Sequence, residues 1–419
     1  MVVREGGVKP QLSADALPHW DLIKKYEIVE LDYKCRQLRT ETESLQASVN
    51  GASKGIGILI KEGDVEGATI MKNKVADLKN ELEGKKSDLG FIENELEEKL
   101  VLLPNLPSEK VPAGKTPADN TVVREGGIKP QLSADAVPHW ELIRKYDIVD
   151  FETGVKITGS GFPLYKGKGA KLQRALTQYF LDFNTAAGYT EYLPPLMVNE
   201  ATAYGTGQLP DKEGQMYYMP ADNFYMIPTA EVPVTNIYRD EIVKESDLPI
   251  KMTAFSACFR REAGSFGADV RGLNRVHQFD KVEIVQLVHP EKSYEVLEEM
   301  VSHVEKLLNT LELPYRILRL CGGDMSFASA LTYDFEVFSA AQQKWLEVSS
   351  VSNFEAFQTN RMKIRFKDEK GKSQLVHSLN GSSLALPRIM ASLLENNQAA
   401  EGISLPAVLH PYFGGKIIS

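Results

Sequence analysis

The spacing of apolar residues changes along the chain, and each change predicts a different element. From Leu31 through Cys35, Leu38, Leu45 and Val49 to Leu59, apolar positions recur in alternating steps of four and three. A second series does the same from Met71 through Val75, Leu78, Leu82 and Leu89 to Leu96. Charged residues fill the other positions, which is a heptad seam. The stretch "KEGDVEGA", residues 61–68, supplies glycine-containing turn chemistry between the two series. The pattern predicts an antiparallel coiled-coil hairpin of two helices, each of about 30 residues and about 45 Å. Gly51, Gly55 and Gly57 weaken the first helix near its tip. A seam only two positions wide has no third apolar face to bury, so the hairpin is expected to project as an arm.

After the arm the period shortens. "LPNLPSEKVPAGKTPADN", residues 103–120, is rich in proline and reads as a linker. "AKLQRALTQYFLDFNTAAGY" reads as an amphipathic helix ending near Gly188, and "TEYLPPLMV" as a short strand that Pro194 and Pro195 confine to an edge or interface. Strand-like runs follow at 224–228, 250–262, 275–288, 333–339, 345–352 and 374–380. Several are joined by hairpin-length connections. The expectation is an α+β domain with an antiparallel sheet of six to seven strands flanked by helices.

One internal repeat is plain. Residues 2–30 recur at 122–150 with six differences, all conservative (positions 8, 17, 21, 24, 27 and 30 of the first copy). Two copies 120 residues apart do not make a solenoid, and the reading preferred is a duplicated linker. The expected organisation is therefore a linker-like copy at 1–30, the arm at 31–104, a linker at 105–160 that contains the second copy, and a main domain at 161–419.

Composition narrows the class. With 419 residues, 43% of them hydrophobic, the chain has room for a sizeable core. No long apolar run suggests a membrane span, and "MVVREGGVKPQ" does not read as a signal peptide. Cys35, Cys258 and Cys321 are far apart with no CxxC pair, which suits a reducing cytoplasm, and no zinc is expected. A net charge of −9 argues against a protein that coats nucleic acid non-specifically, but not against a local basic groove.

Candidate chemistry concentrates in "CFRREAGSFGADVRGLNRVHQFDKVEIV", residues 258–285. Strand side chains alternate faces. That places Arg260 and Glu262 with Ser256 and Cys258, and Arg275, His277, Phe279, Lys281 and Glu283 together, while Val276, Val282 and Ile284 face the other way. Read alone, this is either a solvated hairpin face or the floor of a site. Arginine forks suit phosphate, an aromatic ring stacks on a base, and a carboxylate holds an ammonium. "WLEVSSVSNFE" interrupts a strand with Glu347, Ser349 and Ser350, and Glu347 is as readily a water-facing glutamate as a magnesium or ribose ligand. "HSLNGSSLALPRIMASLLENNQ" reads as strand, turn and helix. Pro387 sets the helix start near 384–387 and leaves Arg388 beside its positive end.

Together these stretches resemble the class II aminoacyl-tRNA synthetases, specifically the bacterial-type seryl-tRNA synthetases, over roughly residues 31–419. "FRREAGSFGADVRGLNRVHQFDKVE" resembles that family's second motif, "NGSSLALPRIMASLLENNQ" its third, the unit ending in "LPPL" its first, and "PTAEVPV" its Thr-x-Glu element. The resemblance implies a serine–tRNA ligase using ATP and Mg²⁺, with 161–419 as the catalytic domain and the arm binding tRNA(Ser). Arg260, Arg261, Glu262, Arg275, Phe279, Arg388 and the run Glu347, Val348, Ser349 and Ser350 would then contact ATP, with Glu347 and Ser350 also holding Mg²⁺. Arg260, Arg275, Glu347 and Arg388 would be the catalytic set. Thr229, Ala230, Glu231, Arg260, Glu283, Asn380 and Ser382 would hold L-serine. A cytoplasmic homodimer without membrane attachment is implied as well.

Two features depart from that pattern. Ser383 and Pro387 stand where the third motif usually has glycines, and the chain opens with a copy of its own linker. The arm is also weakly charged, +2 over 31–61 and −2 over 70–100. The rival readings are a paralogue that loads another carrier and a scaffold built on an inactive synthetase core. Retention of all the charged motif residues argues against the second.

Overall fold

The computed structural model describes residues 19–211, 214–262 and 271–419. Residues 1–18 of the first repeat copy and 263–270 of the second-motif loop lie outside the described residues. The chain divides into two compact units, one holding the described residues up to Pro104 and the other Asn105–Ser419.

In the first unit, helix α1 (His19–Lys25) leads into α2 (Ile28–Glu62), which packs antiparallel on α3 (Val65–Leu100). The heptad seam is the buried line, with Leu31, Cys35, Val49, Val75 and Leu82 inside. The turn is tighter than the glycine-rich stretch suggested. Gly63 closes α2 at φ +81, and the Asp64 side chain caps α3 by accepting the Gly67 N–H at 2.8 Å. Arg39 pairs with Glu93 and Lys85 with Glu41 across the seam, each at 2.6 Å. The first helix starts at Ile28 rather than Leu31, because the repeat's apolar Ile28 is fully buried in this unit.

Over a stretch described in both, 19–28 and 139–148, the two repeat copies form the same local structure and then part. α1 and α4 (His139–Lys145) are both seven-residue helices, and each is followed by a residue in the left-handed region, Glu27 and Asp147, both at φ 53. Ile28 and Ile148 are both buried. After that the first copy continues as helix, whereas the second turns into a short strand at Val149–Asp150. Shared sequence dictates the helix and its stop. The next element is set by the seam starting at Leu31 in one copy and by Phe151 in the other.

The second unit is built on an eight-stranded sheet. Its strands are β1 (Thr121–Gly126), β2 (Thr190–Tyr192), β3 (Ile250–Phe259), β4 (Gln278–Val288), β5 (Tyr315–Arg319), β6 (Leu331–Ser339), β7 (Lys344–Asn353) and β8 (His377–Ala385). Their order across the sheet is β1-β5-β6-β7-β8-β4-β3-β2. All neighbours are antiparallel except β2, which runs parallel to β3. The sheet has eight strands rather than the expected six to seven. Two of them lie outside the expected runs, β1 and β5, while the run at 224–228 pairs instead with Met197–Asn199 in a separate small sheet. β1 comes from the repeat, and β2 is the three-residue piece that Pro194–Pro195 cuts short. The run at 374–380 also splits at Val376, with Ser373–Leu375 pairing in a separate small sheet.

One sheet face is covered by α5 (Gly167–Ala186), α7 (Ser293–Thr310) and α9 (Leu386–Asn396). Leu172, Leu176, Phe180, Leu297, Met300, Val304, Ile389 and Leu393 pack there against Val282, Ile284 and Val351. Fully burying each such side chain contributes about 1.5–3 kcal/mol, so this face anchors the sheet. The opposite face holds a smaller cluster around Met252, Ala254, Val285 and Leu287, joined by Ala230 and Val234 of the segment that includes α6 (Glu231–Thr235). α8 (Phe357–Arg361) lies in the same unit. This second face is where the polar strand positions gather.

Candidate active site

β3 and β4 pair with Phe279 opposite Cys258, Lys281 opposite Ser256 and Glu283 opposite Ala254. Alternation therefore places Phe279, Lys281 and Glu283 on one face, as read from the sequence. That face is not wet: Lys281 is 6% exposed and Glu283 2%. Of the two readings of this hairpin, a site floor is the one with buried charges. Cys258 shares the floor, but burial raises its thiol, so it stays protonated and offers no nucleophile.

At one end of the floor three acidic or hydroxylic groups converge. Lys281 Nζ lies 2.6 Å from Glu283 Oε2, to which Thr229 Oγ1 also donates at 3.4 Å. Thr229 precedes α6 and accepts the Glu231 N–H at 3.2 Å. Glu231 Oε1 accepts from Gln358 Nε2 of α8 at 2.6 Å. Burial, then the charge of Glu283, pushes the Glu231 carboxyl up to about 7, opposed by Gln358, Lys281 and Arg260. With Glu283 paired to Lys281 and Glu231 held partly protonated, an ammonium placed here would supply the charge that lets Glu231 ionise. Ser382, opposite Glu283 on β8, adds a buried hydroxyl-bearing residue.

The other end gathers arginines. Arg260 follows β3, its Nε donating to the Pro228 carbonyl at 3.3 Å and its guanidinium lying 5.3 Å from the Phe279 ring centre. Arg275 is paired with Glu262. Arg388, in the first turn of α9, donates to the Asn274 carbonyl at 2.9 Å and the Glu347 carbonyl at 2.7 Å, with Glu347 Oε2 at 3.6 Å. The guanidiniums are held by carbonyls, by the exposed Glu347 and by the half-buried Glu262, and Arg275 is itself open to solvent, so phosphate oxygens can exchange into their forks.

A buried pair supports this end from below. Leu273 N–H donates to His139 Nε2 at 2.9 Å, so the ring's proton is on Nδ1 and goes to Glu395 Oε1 at 2.7 Å. Burial works to raise the Glu395 carboxyl, but hydrogen bonds from His139 and Ser339 hold it below its ordinary value. Gln342 bonds both Glu395 and Asn274. Gly272 makes the approach possible: it sits at φ +67, and a Cβ there would fall 2.3 Å from His139 Nε2. The second repeat copy thus carries the histidine beneath the Asn274–Arg388 contact.

The structure corrects some placements. Arg275 lies ahead of β4, which starts at Gln278, because the turn over residues 271–274 ends the pairing first. Glu262 is beyond β3 at φ 49, so neither follows strand alternation. Val348 is buried in the core, leaving only its backbone for a ligand. Ser349 is buried and donates to the Ser382 carbonyl at 2.5 Å, joining β7 to β8. Ala230 is buried at the start of α6, and Arg261 is turned toward Tyr217, 5.2 Å from its ring centre. Asn380 Nδ2 is buried with no partner among the described residues.

Lys281, Gln358, Asn274 and Asp334 were not assigned roles from the sequence. Asp334 on β6 faces Ser350 on β7 in register, one of its carboxylate oxygens is buried without a partner among the described residues, and burial followed by Glu347 raises it well above its ordinary value. A β-bulge between Phe335 and Glu336 brings Glu347 onto the Ser350 side of β7. Only Lys281 had a signal in the sequence, its alternation with Glu283.

Comparison with known proteins fits this geometry. Residues 217–397 match the model of the tRNA synthetase class II core domain (G, H, P, S and T), and residues 22–107 match the seryl-tRNA synthetase N-terminal domain. The chain is 50% identical to the serine–tRNA ligase of Salinibacter ruber, covering 97% of this chain and 95% of that protein. It is 48% identical to that of Neisseria meningitidis serogroup B, covering 92% and 91%. The crystal structure of Pyrococcus horikoshii seryl-tRNA synthetase complexed with ATP superposes with a TM-score of 0.87 at 31% identity, covering 94% of this chain and 92% of that one. With the buried carboxylate pocket and the arginine set at the two ends of one sheet face, these likenesses place the chain in the seryl-tRNA synthetase family.

Proposed function

We infer that the chain is a serine–tRNA ligase and that the two ends of the polar floor divide the work. The buried pocket of Thr229, Glu231 and Glu283 takes the serine ammonium and hydroxyl, with Ala230, Asn380 and Ser382 completing its wall. The arginine end takes ATP: Phe279 stacks under adenine, Arg260 holds the α-phosphate, and Arg275 and Arg388 hold the γ-phosphate, with Arg261 and Glu262 beside them. The observation that carries this reading is the Lys281–Glu283–Glu231 cluster, acids gathered on the same β3–β4 face as Phe279, with Arg260 just past the end of β3.

The reaction has two steps. A serine carboxylate oxygen attacks the α-phosphorus, the bond to pyrophosphate breaks, and seryl-adenylate forms. A terminal ribose hydroxyl of tRNA(Ser) then attacks the seryl carbonyl and AMP leaves. No side chain forms a covalent intermediate; the chain's part is to orient the two substrates and stabilise charge developing on phosphate. A pocket built to hydrogen-bond a hydroxyl rejects alanine by roughly 10⁴-fold or more.

Mg²⁺ fits this site. Asp334, Glu347 and Ser350 offer oxygen ligands only, and among the described residues one Asp334 carboxylate oxygen is left without a hydrogen-bond partner opposite Ser350. When bound, the ion would neutralise charge on the triphosphate. The arm would bind tRNA(Ser). Exposed Leu193, Leu196, Met197 and Phe224 flank Pro194–Pro195 and support pairing of two copies through that face. Among the described residues no helix is long and apolar enough to cross a membrane, and a cytoplasmic location follows from the proposed activity.

ATP–pyrophosphate exchange with each of the twenty amino acids tests this reading. Exchange with serine alone is expected. Exchange with a different amino acid overturns the serine pocket, and silence with all twenty from folded protein overturns the activity.

A further inference from the structure

Ser383 stands where the third motif usually has a glycine, and the structure gives its hydroxyl a partner. β8 carries two residues, Ser383 and Leu384, where β4 has one, because Lys281 faces Ala385 while Glu283 faces Ser382. This is a β-bulge, and it lies directly beside the serine pocket. Neighbouring strand residues point to opposite faces, so Ser382 looks into the pocket while Ser383 looks behind the sheet. There Ser383 Oγ donates to Asn184 Oδ1 at 2.9 Å.

Asn184, in the last turn of α5, is fully buried and serves three partners at once. Its Oδ1 also accepts from His303 Nε2 of α7 at 2.8 Å. Its Nδ2 donates to Thr253 Oγ1 at 2.9 Å, and Thr253 Oγ1 in turn donates to the Glu283 backbone carbonyl at 2.8 Å. One amide therefore holds the two neighbouring strands beside the serine pocket, β8 through Ser383 and β4 through Thr253 of β3 and the Glu283 carbonyl. His303 is kept neutral by burial and by Lys251 and Lys306, which push it down to about 4, so it donates a hydrogen bond and brings no charge.

We propose that Asn184 is a positioning residue for the amino-acid pocket, fixing the β8 bulge so that Ser382 and Glu283 are set at the spacing serine needs. The proposal rests on the serine-activating reading above. Asn184 touches no substrate; it acts through Ser383 and Thr253. The arginine end has its own support in Arg388, Asn274 and His139, none of which bonds Asn184. Disturbing Asn184 should thus loosen serine and spare ATP.

The test is steady-state pyrophosphate exchange with separate KM values for serine and ATP, using full-length wild-type protein, Asn184→Leu and Ser383→Ala, with folding checked by circular dichroism. Asn184→Leu keeps the heavy-atom count and branching but strands three buried polar groups, and KM for serine is expected to rise about tenfold while KM for ATP stays within about twofold. Ser383→Ala removes one of the three bonds and should raise the serine KM about threefold. In the double variant the Ser383 effect should vanish, because its partner is already gone. A purely structural role would lower kcat through the folded fraction and leave both KM values unchanged. That result, or parallel rises in both KM values, overturns the proposal. If Asn184→Leu does not fold, Ser383→Ala decides alone by the same split. A wild-type protein with no serine-dependent exchange would instead refute the serine reading itself.

Discussion

Glu231→Gln should make the protein more stable at alkaline pH while removing serine binding. The Glu231 carboxyl sits at about 7 in the folded chain against an ordinary value of 4.5. Between those values an unfolded chain has released the proton and the folded chain still holds it. Stability therefore falls as pH rises through that window, by about 1.4 kcal/mol per pH unit at most. Over the whole window the loss approaches about 3 kcal/mol. Thr229, Glu283 and Lys281 surround an acid whose ionisation burial opposes, so the free pocket stores a cost that bound serine's ammonium relieves. The amide variant has nothing to ionise there and keeps an oxygen for the Gln358 donor. Urea unfolding can be followed by Trp140 and Trp345 in a Trp20→Phe background, which silences the first unit. The wild-type minus variant difference from pH 4.5 to 8 cancels all other titrating groups. A steady decline of the wild type relative to the variant is expected. A flat difference, or a wild type that gains on the variant as pH rises, would refute the reasoning.

The same geometry sets further outcomes. His139→Leu leaves Glu395 buried without its main partner and should cost about 3 kcal/mol, read as a lower unfolding midpoint, with a higher KM for ATP because Leu273 and Asn274 lose their support. Arg388→Lys keeps the charge but loses the fork that spans the Asn274 and Glu347 carbonyls; pyrophosphate exchange should fall about 100-fold, and an unchanged rate would remove Arg388 from the phosphate site. Asp334→Asn should raise the Mg²⁺ concentration giving half-maximal exchange by about tenfold, and no change in a magnesium titration would take Asp334 out of the ion's surroundings. Leu82→Ala, in the arm's buried seam, should cost the arm about 2–4 kcal/mol and depress serine transfer to tRNA while exchange persists; equal loss of both would contradict the division of labour.

Local pattern carried a good part of this structure. The heptads of α2 and α3 were readable because a coiled-coil seam repeats every seven residues and needs no distant partner. The face shared by Phe279, Lys281 and Glu283 was readable because strand alternation is strict inside β4, and Pro387 marked the start of α9 to within two residues of Leu386. Where alternation was extended past the strand ends, to Arg275 and Glu262, it failed, since a turn and a left-handed backbone intervene. Glu347 and Ser350 share a side only through a bulge, and Ser382 and Ser383 are set by another, neither of which leaves a mark in apolar spacing. Gln358, Asp334 and Asn184 reach the site from elements far away in sequence. The repeat shows the same limit from the other side: near-identical segments make the same helix, yet His139 is buried against Glu395 while His19 is a half-exposed residue whose ring nitrogen meets the Pro104 carbonyl.

The most direct measurement is a crystal structure of the protein with a non-hydrolysable seryl-adenylate analogue. The ammonium is expected between Thr229, Glu231 and Glu283, the adenine against Phe279, and the linking group beside Arg260. An analogue bound away from the β3–β4 floor, or bound there with its ends reversed, would contradict it.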